Sequence, residues 1–417
     1  MTKKISKTII NFKALIAVAF TIALIIFSES GFSAAVEGLD TWWKIVFPAL
    51  LPFFIIAEIL MGLGVVHFLG VLLEPLMKPL FKVPGVGAFA LAMGLASGYP
   101  IGAKITAQLR KEKLCTQAEG ERLISFTNTA DPLFMIGAVA VGMFSKPELG
   151  LVLALAHYLS CLSVGFIMRF YNPHSNNQDT VAPQEDKNTN IISRAFRKLY
   201  QAQREDGRSF GQLLGDSITE AVNTLLLIGG FIIFFSVLTQ ILADIGLTKL
   251  LATILSIILQ PLGIKRTMIL PLVGGLFEIT NGSNLASQAI APLNQQLMIT
   301  SGIIAWSGLS VHAQVMTMIN ETDLRIKPYL WARVLHGFGA SLITYLLLGP
   351  GNMLNSHLLK PIAFNPQQID IKVSYLDYIS QISFGVLLIL FASITASLLI
   401  HWLKKITIIS FHHFNNY

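Results

Sequence analysis

Two stretches of this sequence hold residues that an apolar chain normally excludes. In the first, Ser97-Gly98-Tyr99-Pro100-Ile101-Gly102-Ala103-Lys104 interrupts an apolar run with a Gly-Tyr-Pro step and follows it with a cation. Such a break frees backbone donors and acceptors from the helical ladder. The helix that restarts beyond it offers its N–H groups and positive dipole end to an anion, and Lys104 adds a charge suited to carboxylates. In the second stretch, Glu278-Ile279-Thr280-Asn281 places an acid inside an apolar segment. An intramembrane carboxylate is a candidate for carrying a coupling proton or for pairing with Lys104. Each feature also has an ordinary structural reading. Lys104 can snorkel to an interface, Glu278 can be a hydrogen-bonded structural acid, and Gly94, Gly98 and Gly102, spaced by four, form a small-residue packing face.

Two further segments add polar groups: Thr127 and Asn128 in one, and Ser307, Ser310, His312 and Gln314 in the other. Together they line a polar cavity or act as interhelical glue. Asp131, beside Asn128 and Pro132, reads as the cap of a broken helix and ranks below Asn128 as a ligand. Arg110 is a weaker anion candidate than Lys104. No nucleotide-binding loop, nucleophile elbow or zinc motif is present. The sequence therefore predicts neither an enzyme nor a bound metal or cofactor. Cys115 and Cys161 have no redox spacing and read as inert.

What must position these groups is a membrane scaffold. Of 417 residues 53% are hydrophobic and 13% charged, against about 25% charged in soluble domains, so the chain is a polytopic membrane protein. Its net charge of +7 sits in clusters beside apolar spans, which marks membrane orientation rather than nucleic-acid binding. Lys3, Lys4 and Lys7 precede a first span at 14–27, read as a signal anchor or a cleaved signal peptide, and 28–42 reads as an outside connector. Spans follow at 45–63, 124–144, 149–168, 221–242, 298–318, 332–348 and 380–403, with interfacial helices at 67–81 and 247–262. Residues 86–109 read as a re-entrant hairpin, and 271–284 as a second. His401, His412 and His413 read as interfacial.

The expected domains are 1–41 (signal anchor and connector), 42–170 (first repeat), 171–210 (hydrophilic cytoplasmic linker, helical in its later part), 211–325 (second, inverted repeat) and 326–417 (C-terminal spans and tail). Superposing Gly102 on Gly282, an offset of 180 (282 less 102), carries Thr127 onto Ser307 and Asn128 onto Gly308; a one-residue shift brings Gly94 onto Gly275 and Ser97 onto Glu278. One hairpin then enters from the cytoplasm and the other from outside. Inverted repeats with discontinuous helices meeting near the bilayer middle are the build of many secondary transporters.

Several motifs carry a family likeness. Phe47-Pro48-Ala49-Leu50-Leu51-Pro52-Phe53-Phe54, Leu72-Leu73-Glu74-Pro75-Leu76-Met77, Val83-Pro84-Gly85-Val86-Gly87 and Ser97 to Lys104 resemble the YlbJ family of sporulation integral membrane proteins. So do Arg110-Lys111-Glu112-Lys113, Ser125-Phe126-Thr127-Asn128 and Leu153-Ala154-Leu155-Ala156-His157-Tyr158. The resemblance is dense in the first half and looser in the second. It implies membership of the nucleoside-recognition, or Gate-domain, group, an all-α fold with inverted repeats and two re-entrant hairpins similar to concentrative nucleoside transporters, and a role in endospore formation. It further implies movement of dipicolinic acid, an aromatic dicarboxylate, from the mother cell across the outer forespore membrane, with a homo-oligomer or other sporulation membrane proteins as partners beside the lipid bilayer. The expected substrate-binding residues are Ser97, Gly98, Tyr99, Pro100, Gly102, Lys104, Thr127, Asn128, Glu278, Thr280, Asn281, Ser307 and His312. A nucleoside transporter and a scaffold acting through the 171–208 linker are the competing expectations.

Overall fold

A computed structural model describes residues 7–172, 190–348 and 395. The described residues are helical throughout. Helix α1 (Lys7–Ile26) is followed by α2 (Ser28–Thr41), a π-helical turn (Trp42–Val46) and α3 (Phe47–Gly62), the last three forming one 35-residue rod. The expected connector at 28–42 is therefore helical. Its polar residues hide a small-residue face, with Gly31, Ala34, Gly38 and Thr41 buried, and that face, rather than hydropathy, places it in the bundle. Gly64 (φ 75°) turns the chain into α4 (Val65–Leu76), whose end relaxes into a π turn at Met77–Phe81. Next come α5 (Gly87–Ser97) and α6 (Ile101–Lys111), then α7 (Gln117–Thr127), the π-helical segment Phe134–Met143, and α8 (Leu149–Met168).

The second half follows the same order. After α9 (Ile191–Asp206) come a second 35-residue helix α10 (Phe210–Asp244), Gly246 (φ 82°), α11 (Leu247–Leu259), and the pair α12 (Ile269–Phe277) and α13 (Ile279–Gln288). The series ends with α14 (Leu293–Trp306), α15 (Gly308–Ile319) and α16 (Ile326–Leu348). Matching members run antiparallel to each other. Along the α2–α3 rod and α10, Ser30 meets Asp244, Trp42 Nε1 donates to Leu225 O at 2.9 Å, and Gly62 packs on Leu213. Along α8 and α16, Ser160 Oγ donates to His336 O at 3.0 Å, while Val164 and Met168 cluster with Ala332. Broad apolar faces stay exposed on α1, α10, α11 and α16, as lipid contact requires; within hydrocarbon all backbone groups must be satisfied internally, which helices achieve.

Two expected single spans are broken. The span at 124–144 stops at Thr127 and restarts after Asp131, and that at 298–318 breaks at Ser307, whose φ is 71°. The linker's later part is an ordered helix: Ile191 and Ala195 of α9 pack on Val71 and Leu72 of α4, and Arg194 pairs with Glu74. The span at 380–403 (apart from residue 395), the three C-terminal histidines and residues 173–189 lie outside the described residues.

At the end where the basic clusters lie, charges tie the halves together. Arg110 grips Asp323 through two bonds (2.8 and 2.9 Å), Lys111 pairs with Glu321, and Arg325 donates to the buried Glu121 at 2.7 and 3.0 Å. The Arg110 guanidinium holds the Asp323 carboxyl below its usual 3.8. A depressed carboxylate stabilises the fold above its ordinary pKa and loses that contribution as pH falls through the folded value. Arg110→Ala is thus expected to cost on the order of 1 kcal/mol at pH 7. The gap in melting temperature from wild type should close below pH 3.8; a gap of constant size across that range would refute the ion pair.

Candidate functional site

Four helix interruptions converge. The first hairpin, α5–α6, turns at Gly98-Tyr99-Pro100, and the second, α12–α13, turns at Glu278. Their ends are built alike: Gly98 N–H donates to Gly94 O at 3.0 Å and Glu278 N–H to Gly274 O at 2.9 Å. These two caps stand 180 residues apart (278 less 98), the unshifted offset, while Gly275, paired with Gly94 through the one-residue shift, packs directly on Gly282. Glycines bring each hairpin's arms together. A Cβ on Gly94 would sit 3.7 Å from the Cα of Gly102, and one on Gly274 3.7 Å from that of Gly282.

Each hairpin tip meets the broken helix of its own half, and each junction holds one glycine and one acid. Gly98, with φ 69°, lies where a Cβ would come 2.4 Å from Asp131 Oδ2. Across the site Gly308 (φ 72°) lies where a Cβ would come 3.1 Å from the Cα of Glu278. The positive φ favours glycine at both positions, and the crowding requires it. Both acids cap helix starts: Asp131 Oδ1 accepts from the N–H of Leu133 (2.9 Å) and Phe134 (2.8 Å), and Glu278 Oε2 from the N–H of Asn281 (2.7 Å). Negative charge there is favoured by the helix dipole and satisfies otherwise unpaired donors.

A cavity of about 60 Å³ opens between these parts. Its polar lining is Tyr99, Asp131, Glu278, Thr280, Ser310 and Gln314, and its apolar walls include Leu50 and Phe54 of α3 and Phe231 of α10. Carbonyls left free at the two broken ends draw donors from neighbouring helices. At the end of α7, Ser125 O accepts from Arg333 Nη2 (2.6 Å) and Phe126 O from Cys161 Sγ (3.0 Å). At the end of α14, Ile304 O accepts from Tyr99 Oη (3.1 Å), Ala305 O from Arg333 Nη1 (3.4 Å) and Trp306 O from His312 Nε2 (3.0 Å).

The family model described as nucleoside recognition (Gate) matches residues 43–173 and 225–322, more than half of the chain. The chain belongs to the Gate family. It is also 46% identical over 334 residues to the sporulation integral membrane protein YlbJ of Bacillus subtilis (strain 168), covering 79% of this chain and 80% of that one. Two solved structures resemble it: CNTnw in an inward-facing substrate-bound state (12% identity, TM-score 0.44) and a doubly substituted CNTnw in an outward-facing state (11%, 0.42), each covering 81% of this chain and 83% of that one. This Gate-family chain is an integral, multi-pass membrane protein.

Of the expected ligands, Tyr99, Glu278 and Thr280 line the cavity. Gly98 and Pro100 form the tip beside it, Gly102 packs against the Thr127 carbonyl, and no side-chain bond fixes Ser97 among the described residues. Thr127 is turned to Leu123 O and Thr106. Asn128 Nδ2 donates to Tyr329 Oη (3.0 Å), Asn281 Nδ2 to Ser236 Oγ (2.7 Å), and Ser307 and His312 are buried behind the wall. Lys104 is exposed and makes no ion pair with Glu278, whose carboxylate serves as a cap. The pairing is corrected: the turn that follows Pro100 rotates Lys104 out of the hairpin face that Gly102 and Ala103 bury. Asp131, ranked second to Asn128 in the sequence, is the one that reaches the cavity. Arg333 is a residue of the site that its sequence context does not mark. It follows Arg325 and Lys327 closely and reads as a cation at the end of a span, yet its accessibility is 0%.

Proposed function

We propose that this Gate-family protein is a transporter used in spore formation, built from two repeats of opposite sense, that moves dipicolinic acid across the outer forespore membrane. One observation carries the transport reading: a single cavity is lined by both hairpin tips and both broken helices. The antiparallel pairing of the α2–α3 rod with α10, and of α8 with α16, supports the opposite sense. Discontinuous helices meeting at one site provide an alternating-access carrier with its binding groups. The sporulation relative supports the setting. Leu50, Phe54 and Phe231 suit the faces of a flat ring, and the amide of Gln314 suits an oxygen at its rim. The cavity, at about 60 Å³, is smaller than the roughly 150 Å³ that admits benzene, so loading a ring requires a hairpin to part from its broken helix.

A second reading is favoured by the acids. Asp131 and Glu278 already occupy the helix starts, so a neutral solute with N–H and O–H donors, such as a nucleoside, meets acceptors where a dianion meets like charge. Uptake of labelled dipicolinate by purified protein in liposomes, with nucleosides as competitors, decides between them. Saturable dipicolinate uptake unaffected by nucleosides supports the first reading; nucleoside uptake without dipicolinate uptake replaces it. In the same assay Lys104→Ala is expected to keep uptake within about threefold of wild type, the range of an ordinary surface change. A loss of two orders of magnitude would restore Lys104 to the site.

A further inference from the structure

Arg333 is fully buried, and its guanidinium is held by neutral groups: Ser125 O, Ala305 O and Tyr99 Oη (3.2 Å), with the Tyr329 ring 5.3 Å from its centre. Among the described residues no carboxylate lies within ion-pair distance of it, and its Nε has no hydrogen-bond partner. An uncompensated buried cation is strongly disfavoured, so the compensation must come from elsewhere. Ser125 and Ala305 occupy the same place in the two halves, 180 residues apart (305 less 125), each in the last turn before its break. Each helix C-terminus carries roughly half a negative charge. Two such ends aimed at one point amount to about one unit, which balances one guanidinium.

In transporters with broken helices, half-helix C-terminal ends and unwound carbonyls are where a coupling cation is held. We propose that Arg333 is a tethered cation filling that position in this fold, so that transport proceeds without a dissociable sodium ion at the junction. The inference rests on the transport reading above. Arg333 acts here as a positioning residue: it neutralises the two broken ends, and through Tyr99 Oη it fixes the first hairpin tip beside the cavity. Lysine, a point charge with a different donor geometry, would reproduce the charge and not the fork that spans both carbonyls.

The deciding experiment measures uptake by the wild-type protein in liposomes with sodium, potassium or choline as the sole added cation. Equal rates in all three, within about twofold, are expected. Sodium-dependent uptake, at least tenfold faster than in choline, overturns the inference and leaves the transport reading standing; no uptake in any medium removes both. Arg333→Ala is expected to lose at least tenfold in uptake and to regain part of it with millimolar methylguanidinium, which a role in packing alone would not predict. Rescue by sodium but not by methylguanidinium would locate the ion site correctly and overturn the claim about the fork. If the variant does not fold, the wild-type ion series still decides.

Discussion

Gly94→Ala is expected to lower the melting temperature of the purified protein by about 5 °C or more, an effect of about 3 kcal/mol. The added carbon would stand 1.8 Å from Thr127 O, far inside contact distance, and that atom is backbone at the end of a broken helix. It cannot swing aside as a side chain would. Either α5 withdraws from α7, separating the first hairpin from its broken helix, or the end of α7 is displaced and the neighbouring Ser125 carbonyl leaves Arg333. Gly230→Ala is the control. It lies in α10 with nothing within 4 Å of the added carbon, so the same chemical change should be neutral or stabilising by a few tenths to about 1 kcal/mol, the helix preference for alanine. Equal melting temperatures for Gly94→Ala and wild type would mean that the hairpin does not seat on α7 as described.

Glu278→Ala and Glu278→Gln are expected to separate two duties of one side chain. Alanine removes the acceptor for Asn281 N–H, a loss of about 1 kcal/mol, and takes a carboxylate out of the cavity; stability and uptake should both fall, uptake by about a hundredfold. Glutamine retains a carbonyl oxygen in the capping position, so the melting temperature should return close to wild type. Its uptake should remain at least tenfold down, because a neutral amide cannot take up and release a proton. Glutamine that transports like wild type would reduce Glu278 to a cap. Asp131→Asn provides the parallel test at the other junction, where two N–H groups depend on the carboxylate.

The sequence was most legible where a chemical type had only one affordable place. The apolar run 149–168 gave the limits of α8, and the Gly-Tyr-Pro step and the isolated Glu278 marked both hairpin turns. The break at 128–131 was marked by Asp131 and Pro132, whereas the break at 307 was hidden because hydropathy averages over it and because Ser307 takes its left-handed conformation without a proline to announce it. The helix at 28–41 was obscured for the opposite reason: serine, glycine and glutamate suggest a loop, and only packing against α10 shows that small size was their purpose. Lys104 and Arg333 invert the usual expectation. The lysine inside an apolar stretch is exposed, and the arginine near a basic cluster is the fully buried one, because helix phase rather than sequence neighbourhood decides which way each points.

The distribution of glycine and acid at the two junctions has a kinetic corollary. In the first half the carboxylate belongs to the broken helix and the glycine to the hairpin tip; in the second half the ownership is reversed. In a cycle that opens each hairpin in turn, withdrawal of the first tip leaves Asp131 behind with the solute, whereas withdrawal of the second carries Glu278 away with it. In the proposed carrier the two doors would thus present different electrostatic thresholds to the same passenger, giving unequal entry and exit.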